Sequence, residues 1–133
     1  FYAVIDTNTK SVKWVRAGHD PAIIYDPKSD IFEELRGPAG VPIGVVPDCC
    51  YEENEKIGLE KGQIIVISTD GINETFNPQK EMYGKERVLD AIRKNKQGTA
   101  EQILEAIISD LSRFRQGLDF QDDVTLIVIK IME

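Results

Sequence analysis

Hydrophobic and polar positions alternate over residues 1–6 and 11–17, with Val12, Trp14 and Val15 apolar and the polar turn Thr7-Asn8-Thr9-Lys10 between them. Period-two patterning around a polar turn predicts a β-hairpin. Gly18-His19-Asp20-Pro21 breaks the pattern. Residues 22–25 and 31–35 then predict two further strands around the turn Asp26-Pro27-Lys28-Ser29-Asp30. Read in order, the four strands make an antiparallel meander. Residues 37–48 hold Gly37, Pro38, Gly40, Pro42, Gly44 and Pro47, which predicts a shaped loop. The polar stretch 51–59 fits an edge strand. Glu52-Glu53-Asn54-Glu55 within it would keep that edge solvated and deter strand-on-strand pairing.

Ile64-Ile65-Val66-Ile67 is apolar at every position, so the strand over 63–69 should be buried on both faces. Val88, Leu89 and Ile92 fall at helical spacing within 85–94. After Gly98, Thr99 and Gln102 form a capping box that opens a second helix. Ile103, Leu104, Ile107, Ile108, Leu111 and Phe114 line one face of it. A loop over 116–121 leads through Asp122-Asp123 into a β-branched strand at 124–131. Strands, a loop, a strand, two helices and a last strand indicate an α+β fold with largely antiparallel sheet.

Charge and cysteine content narrow the function classes. The chain has 133 residues and a net charge of −7, from 16 basic and 23 acidic side chains. This length fits one domain. An acidic chain without clustered Lys and Arg excludes nucleic acid as the expected partner. No apolar run is long enough to cross a bilayer. The two cysteines, Cys49 and Cys50, are neighbours, so they close no long loop, and no second pair completes a zinc site. They read as reduced thiols, which together with the short apolar runs suggests a cytoplasmic protein. Phe1 opens directly on a strand pattern, as in a piece of a longer chain.

The candidate chemistry lies at strand ends. Asp70 directly follows the most apolar strand and precedes Gly71, and Asp122 and Asp123 directly precede another. On adjacent strands these carboxylates would meet at one rim of the sheet. Like charges held together need a cation between them, and oxygen donors suit Mg²⁺ or Mn²⁺. Gly71 would let the backbone approach such an ion closely. The same residues also fit an ordinary Asp-Gly turn and a solvated Asp-Asp loop. His19, the single histidine, fits a metal ligand or general acid, or a strand-end contact with the Gly/Pro loop. Arg16, Arg36 and Arg87 fit either phosphate contacts or surface ion pairs. Trp14 fits packing within its hairpin.

Five segments taken together resemble the metal-dependent serine/threonine protein phosphatases known as the PPM type, in their bacterial branch of sporulation stage II E and RsbU proteins. They are Ala17-Gly18-His19-Asp20-Pro21-Ala22, Gly40-Val41-Pro42-Ile43-Gly44-Val45, Ser68-Thr69-Asp70-Gly71-Ile72-Asn73-Glu74-Thr75, Tyr83-Gly84-Lys85-Glu86-Arg87 and Asp122-Asp123-Val124-Thr125-Leu126-Ile127-Val128. The resemblance implies a β-sandwich of antiparallel sheets flanked by helices, with a binuclear Mn²⁺ or Mg²⁺ centre. It implies a hydrolase in which a metal-bound water attacks phosphoserine or phosphothreonine. By resemblance, Asp70 and Asp122 are metal ligands with catalytic roles, and Asp123 and Gly71 support them from behind. The partner implied is a phosphorylated regulatory protein, such as an anti-sigma-factor antagonist in sigma-factor or stress signalling. An upstream sensory, receiver or membrane-anchored module is also implied.

The family's earlier Gly-Gly-Asp and Gly-Asp-Val-Ser-Gly segments have no counterpart in these residues. Residues 1–133 are therefore expected to be the C-terminal portion of one phosphatase domain with its first part missing. Such a piece is expected to be inactive alone, to hold metal loosely or not at all, and to pair as a homodimer through uncovered surface. A non-catalytic interaction or regulatory module of the same fold is the alternative reading.

Overall fold

The computed structural model describes residues 1–132. The strands are β1 (Tyr2–Asp6), β2 (Ser11–Ala17), β3 (Ala22–Asp26), β4 (Ile31–Leu35), β5 (Ala39–Gly40), β6 (Asn54–Ile57), β7 (Ile64–Ser68) and β8 (Leu126–Lys130). Between β7 and β8 come the helices α1 (Asp70–Asn73), α2 (Lys85–Lys94) and α3 (Ala100–Arg115).

The turn between β1 and β2 is made by Asp6. Its Oδ1 accepts from the amides of Asn8 (2.8 Å) and Thr9 (3.2 Å), so a side chain satisfies amides that the ladder does not. β1 and β6 flank β2 antiparallel, and β5 adds a short parallel pairing at Arg16 and Ala17. The second sheet has the order β4-β3-β7-β8, antiparallel throughout. The two hairpins expected to form one meander therefore lie in different sheets. The chain changes sheet at Gly18–Pro21, where Arg16 Nε donates to the His19 carbonyl (3.0 Å) and holds the corner.

Strand periodicity explains the layers. Side chains alternate across a strand, so the second sheet serves two cores. Tyr25, Ile64 and Val66 face α2 and α3, joining Val88, Ile92, Ile103, Ile107 and Leu111. Ile24 and Ile65 face the first sheet, joining Val12, Trp14 and Leu35. β7 is apolar from Ile64 to Ile67 because both of its faces are covered. Trp14 closes the second core at its edge, with Nε1 donating to the Arg36 carbonyl (2.6 Å). The result is two antiparallel sheets packed face to face with helices on one outer side, the expected α+β sandwich architecture.

The capping box at α3 forms as the sequence predicts. Gln102 N donates to Thr99 Oγ1 (3.2 Å), and Thr99 N donates to Gln102 Oε1 (2.9 Å). This fixes where α3 starts, and so which stripe of the helix meets the sheet.

Candidate metal and phosphate site

β7 and β8 are neighbours in antiparallel register, with Ser68 opposite Leu126. The end of one strand therefore lies beside the start of the other. Asp70 leaves β7 and Asp122 and Asp123 enter β8 at the same rim, as the strand patterns predict. All three aspartates are exposed.

Backbone contacts hold the two segments together. Thr69 N donates to the Thr125 carbonyl (3.1 Å). Thr69 Oγ1 donates to the Asp123 carbonyl (2.8 Å) and accepts from Thr125 N (2.9 Å). Thr69 precedes α1 without capping it, because its hydroxyl is committed across to the β8 segment. A Cβ on Gly71 would sit 2.5 Å from the Asp123 carbonyl oxygen. The close approach that Gly71 permits is thus to the Asp122–Asp123 backbone. Behind it, Thr75 Oγ1 donates to the Gly71 carbonyl (2.6 Å) and is buried, which fixes the turn that carries Asp70. Asp122 is oriented within its own loop, with Oδ1 accepting from Asp123 N (2.7 Å).

Thr69 and Thr75 are structural parts of the rim that sequence reasoning passes over. The only sequence signal for Thr69 is its place between a buried strand and an Asp-Gly pair. Thr75 carries none, since a threonine after a short turn is common.

The donor chemistry fits a hard divalent cation, since exposed carboxylate oxygens suit Mg²⁺ or Mn²⁺. The donor number is small. Among the described residues no three His, Cys, Asp or Glu side chains converge to hold a metal. These ions favour about six oxygens, so an ion at this rim would need most of its coordination shell from water or other segments.

His19 serves the strand corner. Its Nδ1 lies 2.8 Å from the Asp20 carbonyl and its ring packs against Phe1 at 5.9 Å between centroids. The three arginines differ in use. Arg36 pairs with Glu34 (2.6 Å), Arg16 donates to the His19 and Gly37 carbonyls, and Arg87 lies over the Phe114 ring at 4.8 Å. Cys49 and Cys50 are free thiols. Among the described residues no helix is long and apolar enough to cross a membrane.

Known proteins resemble this chain in sequence and in fold. The chain is 29% identical over 132 residues to phosphoserine phosphatase RsbU of Bacillus subtilis, covering 98% of this chain and 38% of that protein. The SiaA-PP2C domain of Pseudomonas aeruginosa superposes with a TM-score of 0.79 at 24% identity, covering 97% of this chain and 50% of that one. The Mn-presoaked phosphatase domain of the cell fate determinant SpoIIE from Bacillus subtilis gives 0.73 at 22% identity, covering 99% and 55%. The chain thus spans little more than half, at most, of these three relatives. The two structural likenesses establish the fold. The profile of the stage II sporulation protein E family runs from residue 1 to residue 132. A match over essentially the whole chain, on a fold that brings its two acidic strand ends to one rim, makes the protein a member of the stage II sporulation protein E (SpoIIE) family.

Proposed function

We propose that residues 1–133 are the C-terminal portion of a metal-dependent phosphatase domain acting on phosphoserine or phosphothreonine of a regulatory partner protein. What supports this reading is the shared rim of Asp70 and Asp122 in a chain matched by the family profile along its length. Asp70 and Asp122 hold Mn²⁺ or Mg²⁺, and Asp123 orients the loop behind them. A bound pair of such ions makes a nucleophile of water and neutralises charge on the phosphoryl oxygens.

The chain's own residues supply placement. Thr75 and Gly71 hold the Asp70 turn still. Thr69 keeps the Asp122 loop in register with it. The remaining carboxylates come from segments outside these residues, in the positions of the family's Gly-Gly-Asp and Gly-Asp-Val-Ser-Gly motifs. The partner is an anti-sigma-factor antagonist or a similar phosphorylated switch protein, and a sensory or receiver module governs the domain from upstream. The site faces the cytoplasm.

The test uses the full-length protein with Mn²⁺ and a phosphoserine peptide. Asp70→Asn and Asp122→Asn should each abolish phosphate release and weaken Mn²⁺ binding in calorimetry. Asp123→Ala should cost about 10–100-fold in the same assays, the usual loss when a group supporting a metal ligand is removed. Unchanged release and affinity in Asp70→Asn would refute the site. Failure of the intact protein to hydrolyse any phosphopeptide would favour the non-catalytic interaction module.

A further inference from the structure

A cavity of about 240 Å³ opens beside the rim, on the β3 side of β7. Ser68 and Asn73, which bracket Asp70 in sequence, form its near wall. Arg16, Arg36 and Lys85 bring three cations to it, against the carboxylates of Asp20 and Glu34. Pro21, Ile23 and Val88 supply apolar wall. The charges come from four separate places: the end of β2, the β2–β3 corner, the end of β4 with the residue after it, and the start of α2.

The pairing inside the cavity leaves cationic capacity unused. Glu34 alone answers both Lys85 and Arg36, and its side chain is only 20% exposed. Arg16 spends its hydrogen bonds on two neutral carbonyls, of His19 (3.0 Å) and Gly37 (3.1 Å). Among the described residues it has no carboxylate partner. Backbone carbonyls fix the guanidinium in place without cancelling its charge. A fixed cation beside apolar wall makes stronger charge-assisted hydrogen bonds than one in open water.

We propose that this cavity is a specificity pocket for an acidic side chain flanking the phosphoserine of the protein substrate. The inference rests on the phosphatase reading and adds to it the substrate's sequence preference. A phosphoserine peptide laid across the rim at Asp70 has its neighbouring side chains within reach of the Ser68–Asn73 wall. The cavity has room for an Asp or Glu side chain. A carboxylate there takes the free valence of Arg16 and shares Lys85 and Arg36 with Glu34. A basic flanking residue would meet a cavity in which three cations outnumber the carboxylates of Asp20 and Glu34, and would be disfavoured.

The experiment measures kcat/KM of the full-length protein with Mn²⁺ on two phosphoserine peptides, identical except for acidic or neutral flanking residues. An aryl phosphate without flanks serves as reference. The acidic peptide should be preferred on the order of tenfold, the worth of one good charge-assisted contact. Lys85→Gln and Arg36→Gln should each reduce that ratio severalfold. Because the ratio is read within each variant, a general loss of activity cancels. Equal rates on the two peptides, or a ratio that neither variant changes, would overturn the pocket. So would an equal fall on the aryl phosphate and the acidic peptide, since the cations would then be serving the phosphoryl group itself. Absence of turnover on all three substrates would overturn the phosphatase reading, and the pocket with it.

Discussion

At the scale of single residues, the rim depends on close backbone approach. Gly71 is required by space: the atom a Cβ would meet is the Asp123 carbonyl oxygen at 2.5 Å, and a hydrogen-bonded backbone cannot swing aside as a side chain can. Gly71→Ala should cost about 1–3 kcal/mol in urea unfolding, the usual penalty for overpacking, and should displace the Asp122 loop. Wild-type stability and wild-type Mn²⁺ affinity in that variant would contradict this account. The sequence makes Asp70, Gly71 and Asp122 visible, because charged residues and glycine beside apolar strands stand out. It hides Thr69, whose role depends on a segment more than fifty positions away. It also hides the difference between Arg16 and Arg36, since a lone arginine carries no sign of whether it meets a carbonyl or a carboxylate.

A second residue-scale effect is set by buried phenols. Burial, then the hydrogen bond to Asp30, pushes the Tyr25 hydroxyl up to about 12 from an ordinary 10.0. Burial and Asp110 raise Tyr83 as well. A raised folded-state value means that the native state keeps protons that the unfolded chain has lost. The stabilisation is complete below pH 10 and declines as pH rises towards 12. Unfolding free energy should therefore fall over that alkaline window. Tyr25→Phe should make the fall shallower, as read by urea titrations at a series of pH values. An unchanged slope would show that Tyr25 ionises freely in the folded protein.

At the scale of elements, the helices were the most legible and the sheet boundaries the least. α3 has a complete local signature: a reciprocal cap at Thr99 and Gln102, then an apolar stripe at helical spacing. Its buried positions, Ile103, Ile107 and Leu111, run down the middle of the predicted stripe, while Leu104, Ile108 and Phe114 are half-buried. Ile107 is fully buried between α3 and the sheet, so Ile107→Ala should cost about 2–5 kcal/mol in chemical denaturation. A loss well below 1 kcal/mol would mean that this face does not pack. β8 is shorter than the apolar run from 124 to 131 suggests, and the reason is chemical. Thr125 N is taken by the Thr69 hydroxyl in place of a strand carbonyl, so regular pairing begins only at Leu126. The assignment of hairpins to sheets was not legible, because what lies against the corner after β2, Pro42 beside Gly18 and β5 paired with Arg16 and Ala17, comes from later in the chain.

At the scale of the whole molecule, the two cores are well covered but the margins are not. Along β1, Ala3 and Ile5 pack inward while Tyr2 and Val4 are 68% and 47% exposed, and among the described residues β1 pairs with β2 alone. The loop after β5 presents Ile43 and Val45, also largely exposed. An unpaired strand edge beside apolar surface recruits further chain. The same incompleteness marks the rim, where two strand ends bring carboxylates but no third donor converges among the described residues. Both features agree with the proposed division of the domain. Expressed as these 133 residues alone, the protein should bind Mn²⁺ weakly, release no phosphate from a phosphoserine peptide, and self-associate as concentration rises in sedimentation. Adding the segments that supply the remaining carboxylates should restore turnover and reduce the association together, since one set of residues would complete the metal shell and cover the open edge. Robust turnover by the 133 residues alone would contradict the division. A monomer at every concentration would show that the β1 margin is already a finished surface.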